Sequence, residues 1–165
     1  MIRTGIGIDT HRFEPGRPLV LGGVDIPHEE GLAGHSDADV LTHAVIDALL
    51  GAAGLGDIGQ HFPDTDERFK DADSIELLRS VIVFLEDNGF RIHNVDATVV
   101  MERPKLAPYR DAMRQTLADA MRIGLGHVNV KATTGERMGF VGRSEGVAAM
   151  AVATLDRPEE RPGPR

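Results

Sequence analysis

The sequence has no cysteine and no tryptophan, a single tyrosine, and only 4% aromatic residues among its 165 positions. Without thiols it can form no disulfide and offers no cysteine nucleophile, so any transition-metal site must use histidine and carboxylate ligands. Long apolar runs are also missing, since stretches such as 81–85 fall far short of the ~20 residues of a membrane-spanning helix. The N-terminus lacks the basic and then apolar pattern of an export signal. We therefore expect no membrane contact and a cytoplasmic protein, or an organellar one after removal of a targeting segment.

Positive charge is in deficit, because 18 lysines and arginines face 26 acidic residues and give a net charge of −8. With no basic cluster, binding to nucleic acid or to an anionic membrane is not expected, and a small-molecule ligand is favoured. Hydrophobic residues make up 41% of the chain and charged ones 27%, as in ordinary folded domains. We expect one domain over residues 1–156, followed by a disordered tail over 157–165 with three prolines and otherwise only glycine and charged residues.

Hydrophobic periodicity predicts an alternation of strands and helices along the chain. Strands are expected over 2–13, 95–102, 127–133 and 146–155, and a tight hairpin at Gly22-Gly23 between 19–21 and 24–26. Helical spacing covers 39–53, 74–87 with Ser74 as its cap, and 108–123, whereas 56–73 is predicted to be a long polar loop. The order indicates an α/β sandwich, with helices on one face of a mixed four-stranded sheet plus a small β-hairpin.

Asp9 and His11 stand two residues apart on the first strand, so both side chains leave the same face. Such a pair can offer one oxygen and one nitrogen to a divalent metal, although taken alone it is better explained by chance polar residues on a solvent face. His43 is the candidate third ligand, with its second ring nitrogen held by an acid. The alternative is a surface histidine linked to Asp47, four residues on. Three protein ligands would leave one position of a tetrahedral zinc open for chemistry.

Three further segments could bind an anion or a polyol. His35 and Ser36 precede the first helix, where Ser36 and Asp39 resemble a capping box and free amides could hold a phosphate. In the long loop, 56–59 and 62–66 carry aspartates suited either to turns or to polyol recognition. The segment 131–143 ends a strand with threonines, glycines, one acid and two arginines, which suits a phosphate-binding turn or a hairpin with a charged edge.

Taken in order, the motifs 7–11, 34–40, 56–59, 62–66 and 131–145 closely resemble the 2-C-methyl-D-erythritol 2,4-cyclodiphosphate synthase family of the non-mevalonate isoprenoid pathway. The resemblance extends over residues 2–156. It implies a bacterial homotrimer with active sites between subunits, and an isoprenoid diphosphate is an expected ligand of the trimer core. The implied reaction converts 4-diphosphocytidyl-2-C-methyl-D-erythritol 2-phosphate into the cyclic diphosphate and CMP.

The same resemblance implies a role for each matching position. Asp9, His11 and His43 would bind Zn²⁺, and Glu136 would hold Mg²⁺ or Mn²⁺. His35 and Thr134 would support the transition state. Substrate contacts would also come from Asp9, Thr10, His11, His35 and Ser36. The methylerythritol phosphate would be bound by Asp57, Ile58, Gly59, Phe62, Pro63, Asp64, Thr65 and Asp66. The cytidine diphosphate side, contributed by an adjacent subunit, would be bound by Met101, Glu102, Arg103, Pro104, Lys105, Leu106, Ala107, Thr133, Thr134, Gly135, Glu136, Phe140 and Arg143.

Three positions depart from the family pattern: Ala38 and Ser144 replace usual glycines, and Gly135 replaces a common threonine. None of them is an expected metal ligand. Two other functions are compatible with the same residues. A zinc phosphohydrolase would use the open metal position to activate water, although no general base is evident, and a non-catalytic module would only bind isoprenoid diphosphates.

Overall fold

The computed structural model describes residues 1–157. Its strands are β1 (Ile2–Pro15), β2 (Leu19–Leu21), β3 (Val24–Ile26), β4 (Glu30–Leu32), β5 (Arg91–Val100), β6 (Val128–Thr133) and β7 (Gly146–Asp156). Its helices are α1 (Val40–Ala53), α2 (Ile58–His61), α3 (Ser74–Asp87), α4 (Arg110–Met121) and α5 (Gly139–Gly142), with short 3₁₀ turns at Glu67–Phe69, Ala107–Tyr109 and Leu125–His127. Apart from Arg157, the expected tail 157–165 lies outside the described residues.

The main sheet is mixed and has five strands in the order β4-β1-β7-β5-β6, so the predicted four-stranded sheet was wrong. Only β5 and β6 run parallel, and the other neighbours are antiparallel. The missed strand, β4, is three residues long and pairs with the end of β1, from Phe13 to Pro15. A strand this short has no alternation to detect, because its partner and not its own pattern defines it.

The separate β2-β3 hairpin is confirmed, and Gly22 and Gly23 both adopt positive φ at its turn, as a two-residue hairpin turn requires. Residues 131–143 do not form the alternative hairpin, since β6 and β7 are not neighbours in the sheet. The predicted loop 56–73 contains α2 and a 3₁₀ turn. The last predicted helix splits, because Pro108 lies in a 3₁₀ turn and α4 begins only at Arg110.

The side chains that cap helices α1 and α3 are not the ones that the sequence predicted. Asp39, not Ser36, caps α1: its carboxylate accepts from the Thr42 amide and from both amides of the Gly22-Gly23 turn. Asp73, not Ser74, caps α3. The Asp39 contacts join the hairpin to the start of α1 and so fix the helix end that carries His43.

Helix α1 packs across β1, β7 and β5, α4 packs against β6, and α3 packs against α1 and α4. The opposite face of β1 and β7 carries large apolar side chains that remain exposed: Ile6 (64%), Ile8 (58%), Met150 (43%) and Val152 (39%). Ile6 pairs with Val152 and Ile8 with Met150, so the four form one continuous patch. Between residues 1 and 157, no helix is both long and apolar enough to cross a membrane.

Candidate functional site

Two glycines on β1 bring helix α1 directly onto the strand backbone. Gly5 and Gly7 share the helix-facing side of β1 with Asp9 and His11. A Cβ built on Gly7 would lie only 2.6 Å from the Ala48 amide nitrogen and closer still to the Ala44 carbonyl oxygen. Because no side chain separates the two elements, His43 on α1 reaches the polar end of β1.

This close packing gathers the three predicted metal ligands. The Asp9 Oδ2 atom lies 2.9 Å from His11 Nε2 and 3.1 Å from His43 Nδ1. The two ring nitrogens are 3.3 Å apart. One ligand atom from each residue therefore lies within 4.8 Å of the others, as a shared ion requires. One carboxylate and two imidazoles form a donor set suited to zinc and similar divalent metals.

The remaining ring nitrogens contact groups behind the cluster. His11 Nδ1 donates to the Ala33 carbonyl oxygen at 2.6 Å, so when the ring is neutral the lone pair lies on Nε2, the nitrogen on the Asp9 side, and can bind a metal. His43 Nε2 lies 2.8 Å from Ser74 Oγ and 3.2 Å from Ser36 Oγ. These contacts turn the inner nitrogens of both rings toward one point.

The charges in the cluster stabilise each other. Burial raises the pKa of the Asp9 carboxyl, but its hydrogen bonds and charge interactions with His11 and His43 outweigh burial and bring that pKa well below its usual range. Burial lowers the pKa of His11, and the hydrogen bond and negative charge of Asp9 raise it by more. A carboxylate that favours its anionic form, flanked by two imidazoles, is a chemically suitable site for a divalent cation.

The alternative of a surface histidine linked to Asp47 was wrong, because His43 does not pair with Asp47. Its carboxylate instead accepts a hydrogen bond of 2.8 Å from the Ile58 amide at the start of α2. Burial raises the pKa of Asp47 despite that hydrogen bond. His43 itself is buried rather than exposed on the surface, with only 9% of the residue accessible.

The cluster opens into a cavity of about 450 Å³ between α1 and the segment that follows it. Of the thirteen substrate-binding residues expected between positions 9 and 66, nine line this cavity: Asp9, His11, His35, Ser36, Ile58, Gly59, Phe62, Pro63 and Asp64. The other four, Thr10, Asp57, Thr65 and Asp66, do not. Asp57 caps α2, Asp66 caps a 3₁₀ turn and pairs with Arg68 at 2.6 Å, and Thr10 faces the other side of β1.

Residues expected to contact the nucleotide line a different cavity of about 150 Å³, formed by Met101, Pro104, Lys105, Leu106, Ala107, Ala132, Thr133 and Thr134. The two cavities share no lining residue among the described residues. Next to the second cavity, Glu102 accepts from the amides of Gly135 (2.7 Å) and Arg137 (3.3 Å). Glu136 and Phe140 are exposed, and Arg143 pairs with Glu145. Arg103 lines a separate small cavity together with Ser144.

A model of the YgbB family matches residues 2–156. The chain belongs to the YgbB family. A relative from Salinibacter ruber, named 2-C-methyl-D-erythritol 2,4-cyclodiphosphate synthase, is 61% identical over 93% of this chain and 98% of its own length. A solved structure of a synthase of that name in its CDP-bound form is 40% identical, with a TM-score of 0.86 over 93% of this chain and all of that one. The bifunctional IspDF of Campylobacter jejuni is 45% identical, with a TM-score of 0.92 over 96% of this chain, which matches 43% of that protein.

Membership of the YgbB family confirms the resemblance stated from the sequence motifs. Sequence reasoning missed Ser74, which contacts His43, and Arg17, which donates to the carbonyl oxygens of Gly34 (2.9 Å) and Ser36 (2.6 Å) on either side of His35. Both are ordinary residues in the sequence. Neither belongs to a motif, and only the packing of distant segments reveals their contacts.

Proposed function

We propose that the chain converts 4-diphosphocytidyl-2-C-methyl-D-erythritol 2-phosphate into 2-C-methyl-D-erythritol 2,4-cyclodiphosphate and CMP. The observation that carries this proposal is the set of bacterial relatives bearing the synthase name, which are 53–61% identical over nearly the whole chain. An oxygen of the 2-phosphate attacks the β-phosphorus, the bond from that phosphorus to the bridging oxygen breaks, and CMP leaves with that oxygen. We propose the bacterial cytoplasm as its location and residues 1–156 as one catalytic domain.

Asp9, His11 and His43 would hold Zn²⁺ in this enzyme, and the donor set and convergent geometry support the assignment. Glu136 would hold a second ion, Mg²⁺ or Mn²⁺, on the nucleotide side. When bound, such cations supply positive charge that lowers the cost of bringing two phosphates together.

The cavity residues position the substrate for an intramolecular reaction. His35 and Ser36 stand at the cavity beside the metal triad, where they can hold the 2-phosphate and the diphosphate close together. Phe62, Pro63 and Asp64 form another part of its wall, suited to a branched polyol with one carboxylate for its hydroxyls. Phosphoryl transfer depends mainly on alignment of the reacting groups and neutralisation of their charge. In this proposal the cavity residues align the substrate, and His35 and Thr134 support the transition state.

The working enzyme is a homotrimer in this proposal, and two observations support it. The cavity for the methylerythritol phosphate and the cavity for the nucleotide share no lining residue among positions 1–157, so a neighbouring copy would bring them together. The apolar patch of Ile6, Ile8, Met150 and Val152 lies on the sheet face without helices and would be covered by that copy. Three such patches around one axis would enclose an apolar space suited to an isoprenoid diphosphate.

The test is phosphorus NMR of the diphosphocytidyl substrate with the enzyme, before and after addition of a chelator. The expected result is resonances of the cyclic diphosphate and of CMP, which are lost with the chelator and restored by metal. Release of inorganic phosphate would instead support a zinc phosphohydrolase. An unchanged substrate spectrum in the metal-loaded enzyme would refute catalysis and leave a binding module. Full turnover and normal zinc content in His43→Ala would contradict the metal assignment.

A further inference from the structure

Behind the metal triad, a chain of hydrogen bonds runs from His43 into the protein through Ser74 to Asp37. Ser74 is the first residue of α3 and is completely buried. Its amide donates to Asp37 Oδ2 at 3.0 Å, and its hydroxyl donates to Asp37 Oδ1. The oxygen of that hydroxyl lies 2.8 Å from His43 Nε2. Helix α3 contributes no member of the triad, so Ser74 is its direct link to the cluster.

The donors and acceptors present show in which direction each hydrogen bond from His43 through Ser74 to Asp37 is donated. The Asp37 carboxylate acts as an acceptor toward three groups, since it also accepts from the Asp39 amide at 3.1 Å. A serine hydroxyl has one proton, and Ser74 donates it to Asp37. The Ser74 oxygen is therefore left to accept the Nε2 proton of His43. A metal-binding imidazole is neutral and carries one N–H, so in the metal-binding form of His43 the lone pair lies on Nδ1, the nitrogen 3.1 Å from Asp9 and 3.3 Å from His11.

We propose that Ser74 and Asp37 are positioning residues that hold the His43 ring with its lone pair directed at the metal site. This inference rests on the metal site of the proposed function. Ser36 makes a weaker contribution, because its hydroxyl lies 3.2 Å from the same ring nitrogen and also accepts from the Ala38 amide. Groups that fix a metal-bound histidine in this way commonly change metal affinity by about 10- to 100-fold when removed.

The test measures the affinity of the metal-free protein for Zn²⁺ alone, by competition with a chelating dye, in Ser74→Ala and in a matched control. Ser80→Ala is that control, because Ser80 lies on the same helix but is exposed and bonds only to the Glu76 carbonyl oxygen. We expect Ser74→Ala to lose about 10-fold or more in zinc affinity, and Ser36→Ala/Ser74→Ala to lose more than either single variant. The metal-free Ser74→Ala protein should melt below Ser80→Ala, because Asp37 and His43 lose a buried hydrogen-bond partner, and the zinc affinities are therefore compared at a temperature where both variants are folded.

Asp37→Asn provides a second variant if Ser74→Ala fails to fold. An asparagine NH₂ at the Oδ1 position would donate to the Ser74 hydroxyl and reverse that hydrogen bond, whereas at the Oδ2 position it would face the Ser74 amide N–H without an acceptor. Either orientation breaks one of the two contacts that hold Ser74, so zinc affinity should fall. Unchanged zinc affinity in the folded variants would overturn the proposal, as would an equal loss in Ser80→Ala. CMP release by the wild-type enzyme is measured separately. Its absence would refute the proposed function while leaving the comparison of zinc affinities intact.

Discussion

Replacing Gly7 with alanine tests whether the metal site depends on the close packing of α1 against β1 that the absent Gly7 side chain allows. The new Cβ would lie 2.6 Å from the Ala48 amide nitrogen and 2.9 Å from Asp47 Cβ. Since non-bonded carbon contacts are comfortable at about 3.5 Å, α1 would have to retreat from β1 by about 1 Å. Overpacking of this kind typically destabilises a protein by about 1–3 kcal/mol.

The same retreat would separate His43 on α1 from Asp9 and His11 on β1. Metal–ligand distances tolerate deviations of only about 0.2 Å, so a shift of about 1 Å is several times too large for all three ligands to bind one ion. Gly7→Ala should therefore bind zinc at least about 10-fold more weakly and melt at a lower temperature than the wild type.

Gly51→Ala is the matched control, because Gly51 lies in α1, the helix that packs on Gly7. A Cβ built on Gly51 would be 3.8 Å from its nearest neighbour, the Ile6 carbonyl oxygen. The Gly51→Ala variant should keep normal zinc affinity and gain up to about 1 kcal/mol of stability from the better helix former. Competition with a chelating dye and thermal unfolding measure both effects. Wild-type zinc affinity and stability in Gly7→Ala would refute the reasoning.

Three further predictions concern the surroundings of the site. Arg17→Ala should lower kcat for CMP release by roughly 10- to 100-fold with zinc content retained, because the carbonyl oxygens on either side of His35 lose the hydrogen bonds that position this residue. An unchanged kcat would contradict this prediction. In metal-free protein, Asp47→Asn should raise the thermal midpoint at pH 7. Burial raises the pKa of this half-buried acid in the folded protein, so Asp47 favours folding only while it is protonated and loses that contribution as the pH rises. The stability gained with asparagine should therefore vanish toward pH 4. Ile8→Asp should give monomers in light scattering, whereas Val83→Asp, exposed on α3, should remain trimeric; a trimeric Ile8→Asp would refute the assigned interface.

The sequence predicted the elements whose patterns are local and long. Alternation along β1 placed Asp9 and His11 on one face, and the structure confirms this. The fifth strand was missed because Glu30 to Leu32 becomes a strand only by pairing with Phe13 to Pro15. The choice of cap at α1 failed for a similar reason: Asp39 also binds amides of the Gly22-Gly23 turn, and no helix-start pattern contains that contact.

The metal triad was only partly predictable from residue spacing. Helical spacing placed His43 away from the apolar stripe and made it a candidate ligand, with a surface link to Asp47 as the alternative. In the fold, Asp47 bonds to Ile58 and His43 to Ser74, which is 31 positions away. Residue spacing alone left both interpretations open, because a contact between α1 and β1 depends on how closely those elements pack.

The departures from the family pattern fall where they leave the triad geometry intact. Ala38 and Ser144 stand at positions where glycine is usual, and both adopt positive φ, 57° and 56°. The backbone conformation explains the usual glycine, and each replacement costs about 1–2 kcal/mol of conformational energy. At Ala38 the cost is offset in part because the methyl group is completely buried beside Gly34. Gly135 stands where a threonine is common. A Cβ built there would lie 2.9 Å from the Gly142 amide nitrogen and 3.2 Å from Glu102 Oε1. In this chain the glycine therefore leaves room for the Glu102 carboxylate, which accepts from the Gly135 amide and holds the turn that carries Glu136. The three departures therefore adjust loop backbone around the two cavities while β1 and α1, which carry the proposed metal ligands, keep their packing.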